Sequence, residues 1–468
     1  MKKYLALVLG VIFTLGFAVS AFAIHAEIPA ETQAVVAKGA TQIKLGGELR
    51  FRGSYKHGTD LKSAGTDTTI LDTANDSDSK YDGRVRLRIQ ADVSKNTQGV
   101  IHLEAGSDTG DTYTWGSVGQ DAGVYTVGNG KKGSLFILEA WILHKFNIGV
   151  PAGIKVGHMP LKLGNGIFFN HTKFGDDAIL VFVDPVKELE IALLTIKLSE
   201  GKTTITDDAD AYVALFAYKT KGFNVSGDYT LVDDKSNTLT TDGAVGAASA
   251  AGDLGTHITN LGLRADATFA NFNVMADAEI QSGKTDYEAA DVDIKHKGRA
   301  FVVGASYKAS PATLRAKYGY GSGDNDSTDK DNNVFVTAVP DTKNLTYVYD
   351  YNVKGATGSK NRGIANTTFV NLGVTANLTK DLSALVDYYV LRASKVNSTA
   401  KINGASSPET HLSKKIGSEV DAKITYKLDK NLVYFVEGGY LWTGAFYDTA
   451  TVQAKDAYAV RHGITLSF

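Results

Sequence analysis

The chain has no cysteine among its 468 residues, and only seven prolines and three methionines. Without cysteine there is no disulfide framework and no C-x-x-C-H attachment of a c-type haem. Past the first 23 residues no apolar run approaches the ~20 residues that a membrane helix needs. Segments with a 3.6-residue apolar period are nearly missing; only 30–37 (AETQAVVA) reads as a short helix. An excess of charge is lacking too. There are 49 basic and 51 acidic side chains, net −2, so total charge gives no argument for nucleic acid as a partner. After residue 39 no linker or composition shift divides the chain, and one continuous architecture is expected despite the length.

The first residues read as an export signal. Lys2 and Lys3 precede an apolar run over 5–19, and Ser20-Ala21-Phe22-Ala23 ends in an A-x-A pattern. That order is a secretory signal peptide cleaved after Ala23. Residues 24–40 are expected to be a periplasmic leader or short helix, and 41–468 the folded body.

What the sequence does hold is glycine (48), tyrosine (22) and phenylalanine (20), arranged with a period of two. In 83–93 (GRVRLRIQADV), Val85, Leu87, Ile89, Ala91 and Val93 alternate with Arg84, Arg86, Arg88, Gln90 and Asp92. Strict alternation marks a strand with two unlike faces. Taken alone, three alternating arginines would also suit phosphate binding. The pattern recurs, however, at 41–55, 99–106, 136–146, 153–158, 209–219, 223–232, 258–269, 272–281, 301–308, 312–320, 368–378, 382–392, 415–428, 431–443 and 457–468. It is blurred at 179–183 and 189–199. The count is 18 strands, with 16 as the alternative. Short turns alternate with long polar loops, the layout of an antiparallel transmembrane β-barrel with short periplasmic turns and long extracellular loops. All seven prolines fall outside these segments, as the missing ladder donor requires.

Three features favour lipid over a soluble sandwich. The segments have about the 9–11 residues that cross a bilayer at a tilt. Their second faces are too polar for a core: Glu419, Asp421, Lys423, Thr425 and Lys427 share one side of one strand. Aromatics such as Tyr55, Tyr81, Tyr229, Tyr320, Tyr426, Tyr440 and Trp442 gather near segment ends, as interfacial girdles do.

The last segment, AYAVRHGITLSF, places Tyr458, Val460, Ile464, Leu466 and the terminal Phe468 on one face. It resembles the terminal strand of Gram-negative outer-membrane porins, although His462 departs from the apolar choice. That resemblance implies a bacterial outer-membrane location and contacts with outer-membrane lipid. It also implies recognition of Phe468 by the barrel-insertion machinery, and homotrimers as one arrangement. The stretch KVGHMPLKLGNGIFF (155–169) resembles the V-G-R-x5-G-x-G passage of several porin families, with His158 in place of Arg. By the same resemblance the third long loop, 159–178, is the constriction loop, with Phe168, Phe169, His171, Asp176 and Asp177 as its candidate residues; an ordinary surface loop is the plainer reading.

The strand pattern puts Lys44, Arg50, Arg52, Arg84, Arg86, Arg88 and Arg461 on the inward face of neighbouring strands once the barrel closes. Such a basic wall would favour anions; the resemblance to porins, whose basic ladders commonly face an acidic constriction loop, implies Asp176 and Asp177 as its acidic counterpart across the lumen. The plainer reading has the arginines paired with acidic neighbours. The run GDNDSTDKDNN (323–333) lacks the calcium-loop spacing and carries Lys330, so a hydrated loop is expected. No H-E-x-x-H, G-x-S-x-G or Walker pattern appears, and no cofactor, metal or catalytic set is expected. The function expected is an outer-membrane porin for passive diffusion of small hydrophilic solutes and ions, weakly anion-preferring. The alternatives are a structural barrel sheathing an electron-transfer partner, a plugged-barrel transporter of apolar substrates with 24–40 in the lumen, and a barrel-borne hydrolase.

Overall fold

The computed structural model describes residues 34–38, 41–59, 61, 77–106, 113–115, 134–201, 208–235, 254–287, 292–326, 329–338, 345–354, 363–396, 413–448 and 453–468. The signal peptide and residues 24–33 lie outside the described residues. Eighteen antiparallel strands form the wall. They are β1 (Thr41–His57), β2 (Ser77–Asp92), β3 (Thr97–Gly106), β4 (Ser134–Asn147), β5 (Pro151–Met159) and β6 (Asp176–Val186). Next come β7 (Leu189–Ser199), β8 (Ala209–Lys219), β9 (Phe223–Asp234), β10 (Leu254–Phe269), β11 (Phe272–Tyr287) and β12 (Arg299–Ala309). The last are β13 (Ala312–Gly321), β14 (Thr367–Asn377), β15 (Leu382–Ala393), β16 (Lys415–Asp429), β17 (Leu432–Thr443) and β18 (Ala457–Ser467).

Each strand pairs with its sequence neighbour, and β1 pairs with β18 from Glu48↔Ser467 to His57↔Tyr458. That last ladder closes the sheet and leaves no edge, which lipid would not tolerate. The eighteen strands expected from the alternation are all present.

The wall is apolar outside and polar inside. Val85 and Leu87 of β2, Leu261 and Leu263 of β10, and Ile280 of β11 are exposed large apolar side chains. Their alternates Arg84, Arg88, Asn260, Arg264 and Glu279 are buried. A soluble protein has the reverse arrangement; a barrel in lipid requires this one.

The two blurred strands have a physical explanation. In β6 and β7, Ile179, Val181, Ile191 and Leu193 face outward, while Leu180, Ala192, Leu194 and Ile196 face inward and are buried. Both faces are apolar because lipid lies on one side and a folded loop on the other. A strand covered on both faces reads as a continuous apolar run.

Three expectations change. Ala34–Lys38, within the expected helix, is a strand that folds back on Thr41–Leu45 of β1. It adds to the wall rather than entering the lumen, on the stretch of β1 that β18 leaves uncovered. Pro151 opens β5, and Pro185 sits where the β6–β7 register shifts between Val183 and Val186. A strand's first residue and an irregularity are the two places where the missing donor does least harm. The 323–333 run is no freely hydrated loop: Asp324 and Asn332 are buried, and Asp331–Asn332 pairs in parallel with Lys295–His296.

Candidate functional site: a lumen narrowed by two loops

Two outward loops turn into the barrel. The first, L3 (residues 160–175), joins β5 to β6. Its Leu161, Leu163, Phe168 and Phe169 belong to one buried cluster with the inward Leu180, Leu194, Ile196 and Val213 of β6–β8. Phe168 and Phe169 are 1% and 0% exposed, so they are packed side chains and not solvent-lining ones. The tip of L3 reaches the wall five strands away, where the Asn165 backbone N–H donates to Asp277 Oδ2 at 3.1 Å. Gly164 beside it has φ +51° and no room for a Cβ against the Arg264 side chain. Only glycine serves there, on both counts.

Arg264 is the post to which this tip is tied. It lies buried on β10 between Asp228 of β9 and Asp277 and Glu279 of β11, all three of which it pairs with. Asn260 Nδ2 donates to the second Glu279 oxygen at 2.7 Å, and Thr230 Oγ1 to Asp228 at 2.8 Å. A buried cation needs this degree of satisfaction to remain charged.

The second loop, L7 (residues 322–366), joins β13 to β14. Its Ala338 N–H donates to the Phe168 carbonyl at 2.9 Å, which ties it to L3. At its other end the backbone N–H groups of Val348 and Tyr349 donate to the two Glu419 oxygens, and that of Tyr347 to Asp421 Oδ2 at 3.0 Å. Asp350 joins the limbs of L7 by accepting from Leu345 N at 2.6 Å and Gly363 N at 2.9 Å. Arg461 lies 5.0 Å over the Tyr347 ring and 5.6 Å over Tyr351. Burial pushes the Tyr347 hydroxyl up to about 12, so the ring beneath the guanidinium is the neutral phenol. Between the loops and the wall remains a cavity of about 460 Å³, bordered by Asn165, Lys219, Arg264, Lys317, Ile364 and Tyr389.

The basic wall is where the alternation puts it, but it is not a bare ladder. Lys44 pairs with Asp92 at 2.9 Å, Arg52 with Asp82 at 2.9 Å, Arg84 with Glu48, Arg86 with Glu104 and Arg461 with Glu437. Arg88 reaches Glu139 at 3.4 Å. Arg50 faces inward between Glu48 and Arg52, opposite Arg84 in the β1–β2 ladder. These seven cations therefore stand among six carboxylates.

The acidic counterpart is not assembled. Asp177 shares the outward face of β6 with Ile179 and Val181, and holds His158 Nδ1 at 2.9 Å. Asp176 points inward but takes His171 Nδ1 at 2.7 Å. Alternation explains the split, since consecutive strand residues cannot face the same side. His158, the departure from the porin pattern, also holds the Phe174 carbonyl through Nε2 at 2.7 Å. It secures the return limb of L3. Among the described residues no group of His, Asp or Glu is arranged to hold a metal ion.

The alginate export family model matches residues 41–461, the barrel up to the middle of β18. The chain belongs to the alginate export family. No curated protein matches the sequence. Among solved structures, Pseudomonas aeruginosa OccK9 (OpdG) superposes with a TM-score of 0.53 at 11% identity, over 91% of this chain and 98% of that one. P. aeruginosa OpdQ gives 0.51 at 13% identity, over 91% and 97%. P. aeruginosa OccK11 (OpdR) gives 0.51 at 11% identity, over 91% and 96%. At such identities the likeness establishes the fold alone, a closed antiparallel β-barrel of 18 strands.

In this member of the alginate export family, L7 and the Arg264 cluster escape a reading by alternation alone. A signal for L7 exists in VFVTA (334–338) and LTYVYDYNV (345–353), apolar and aromatic runs inside a loop that ought to be polar. The cluster shows as opposite charges at inward positions of three successive strands.

Proposed function

We propose that the protein is a size-restricted outer-membrane channel through which small acidic solutes diffuse passively, with a weak preference for anions. The observation that carries this reading is the junction of L3 and L7 inside the barrel, Ala338 N to Phe168 O at 2.9 Å. An 18-strand barrel without such loops would be an open pore. With them the path is confined to what the loops leave beside the wall. The seven basic side chains among six carboxylates support a small positive excess, hence a weak and not a steep selection.

The family's name points to a longer substrate of the same charge, alginate, and the match over 41–461 favours that second reading. Both share carboxylated, hydrophilic chemistry. Reconstitution in planar bilayers under a salt gradient tests the channel, with current steps and a reversal potential on the anion side expected. Arg84→Ser with Arg86→Ser should move that potential toward cations, since Glu48 and Glu104 lose their partners. Silence of the bilayer would sink the reading. Uronate oligosaccharides distinguish the two substrates: interruption of the current by oligomers but not by monomers favours the polymer.

A further inference from the structure

We propose that Arg88, Lys155 and the ring of Trp141 form a closed binding site for a small inorganic anion of chloride size. The three come from β2, β5 and β4, and all face the lumen wall where the basic ladder meets the apolar side covered by L3. Lys155 is 1% exposed and Arg88 3%. An ammonium carries three donors and a guanidinium five, and a buried one needs acceptors.

The acceptors present do not suffice. Among the described residues Glu139 is the one carboxylate that holds this cluster, and both its oxygens are engaged. Oε1 takes Arg88 Nε at 3.4 Å and His102 Nδ1 at 3.0 Å, while Oε2 takes the indole Nε1 of Trp141 at 2.8 Å. Arg88 Nη1 is satisfied by Gln90 Oε1 at 3.0 Å. Lys155 Nζ lies 3.9 Å from the centre of the Trp141 ring. The π face attracts the cation but accepts no conventional hydrogen bond. Lys155 Nζ and Arg88 Nη2 thus remain buried without a hydrogen-bond partner among the described residues.

Charge leads to the same conclusion. Arg88 is a permanent cation and Lys155 a second base beside it, and they share one carboxylate, so the buried cluster carries a positive excess when Lys155 is protonated. Water would satisfy donors but not the charge; an anion does both. A halide suits the site better than a carboxylate because it is compact and accepts from any direction. The proposal is independent of what the channel transports. Its consequence is local: the anion would complete the wall against which L3 packs.

The site includes its own reporter. In a Trp115→Phe, Trp442→Phe background, Trp141 is the sole tryptophan, and a buried indole is shielded from ionic quenchers unless they bind beside it. Iodide or bromide should quench its emission saturably, chloride should relieve the quenching, and acetate should not. Lys155→Met should abolish the saturable part, with heat-modifiable gel migration confirming a folded barrel. Linear quenching indifferent to chloride, or saturable quenching that survives Lys155→Met in a folded barrel, would overturn the proposal; equal relief by acetate would overturn the choice of a halide. Bromide-soaked crystals of the unaltered chain give a second reading that needs no variant. An anomalous peak between Lys155 Nζ and Arg88 Nη2 is expected, and an empty map there refutes the site.

Discussion

Replacing Glu419 by alanine should open the lumen without unfolding the barrel. Glu419 is fully buried on β16, and its carboxylate takes the backbone N–H groups of Val348 and Tyr349. Hydrogen bonds to a charged group contribute about 1.5–3 kcal/mol each, and buried donors left without a partner lose at least as much. Two such bonds amount to about 3–6 kcal/mol on those figures. The 345–354 segment keeps one bond from Tyr347 N to Asp421, the contact of the Tyr349 hydroxyl with Thr367 Oγ1 at 2.8 Å, the stacking of Arg461 on two tyrosines and the burial of Val348, Tyr349 and Val353. A cation over an aromatic ring contributes about 0.5–2 kcal/mol, so the two lost bonds are a large part of the polar anchorage, while the buried apolar side chains keep part of the hold. The segment should leave the wall intermittently. Single-channel recording would show higher mean conductance and frequent switching between two levels. Lys423→Ala, on the same strand but exposed to the lumen, is the control and should leave the loop seated. A Glu419→Ala barrel that migrates as folded and conducts with the level and noise of the parent would refute the role given to this anchor.

Arg264→Met should lower stability by about 3–5 kcal/mol, because Asp228, Asp277 and Glu279 would be left buried without their cation; a lower midpoint in urea, or a lower temperature of gel-mobility change, checks it. Gly164→Val should displace the tip of L3, since φ +51° disfavours a β-branched residue and the added Cβ meets Arg264. Conductance should rise while far-UV circular dichroism stays that of the parent. Leu263→Arg tests the direction of the wall. Leu263 faces outward, 55% exposed, and an arginine near the bilayer midplane costs about 2–4 kcal/mol. Reduced stability in lipid vesicles is expected, and an unchanged value would mean that this face does not meet hydrocarbon.

The wall was legible because each strand faces two different solvents. In β2 and β10 lipid selects one alternate set of side chains and water the other, so the pattern survives in sequence without any knowledge of partners. Where a loop covers the inner face, as over β6 and β7, that contrast vanishes and the strands blur. The blurring is itself a record of L3. The loops are harder because nothing periodic governs them. Phe168 and Phe169 stand out by likeness to porins, whereas nothing periodic marks Val348 and Tyr349 within a loop that reads as solvated. Asp176 and Asp177 show the limit of resemblance: adjacent positions at a strand's start face opposite sides, and one of the two had to point away from the lumen. Pairing partners were the least accessible. Glu48, Asp82, Glu104 and Glu437 meet the arginines only through the cross-strand register, which alternation does not specify.

The central claim is that the barrel would be an open pore but for the loops folded inside it. The most direct test compares the single-channel conductance of the parent chain with that of a variant in which residues 162–173 are replaced by a short Gly-Ser linker. The account predicts small discrete steps for the parent and a several-fold larger conductance for the variant, with both barrels folded. Equal conductance in two folded barrels would contradict it.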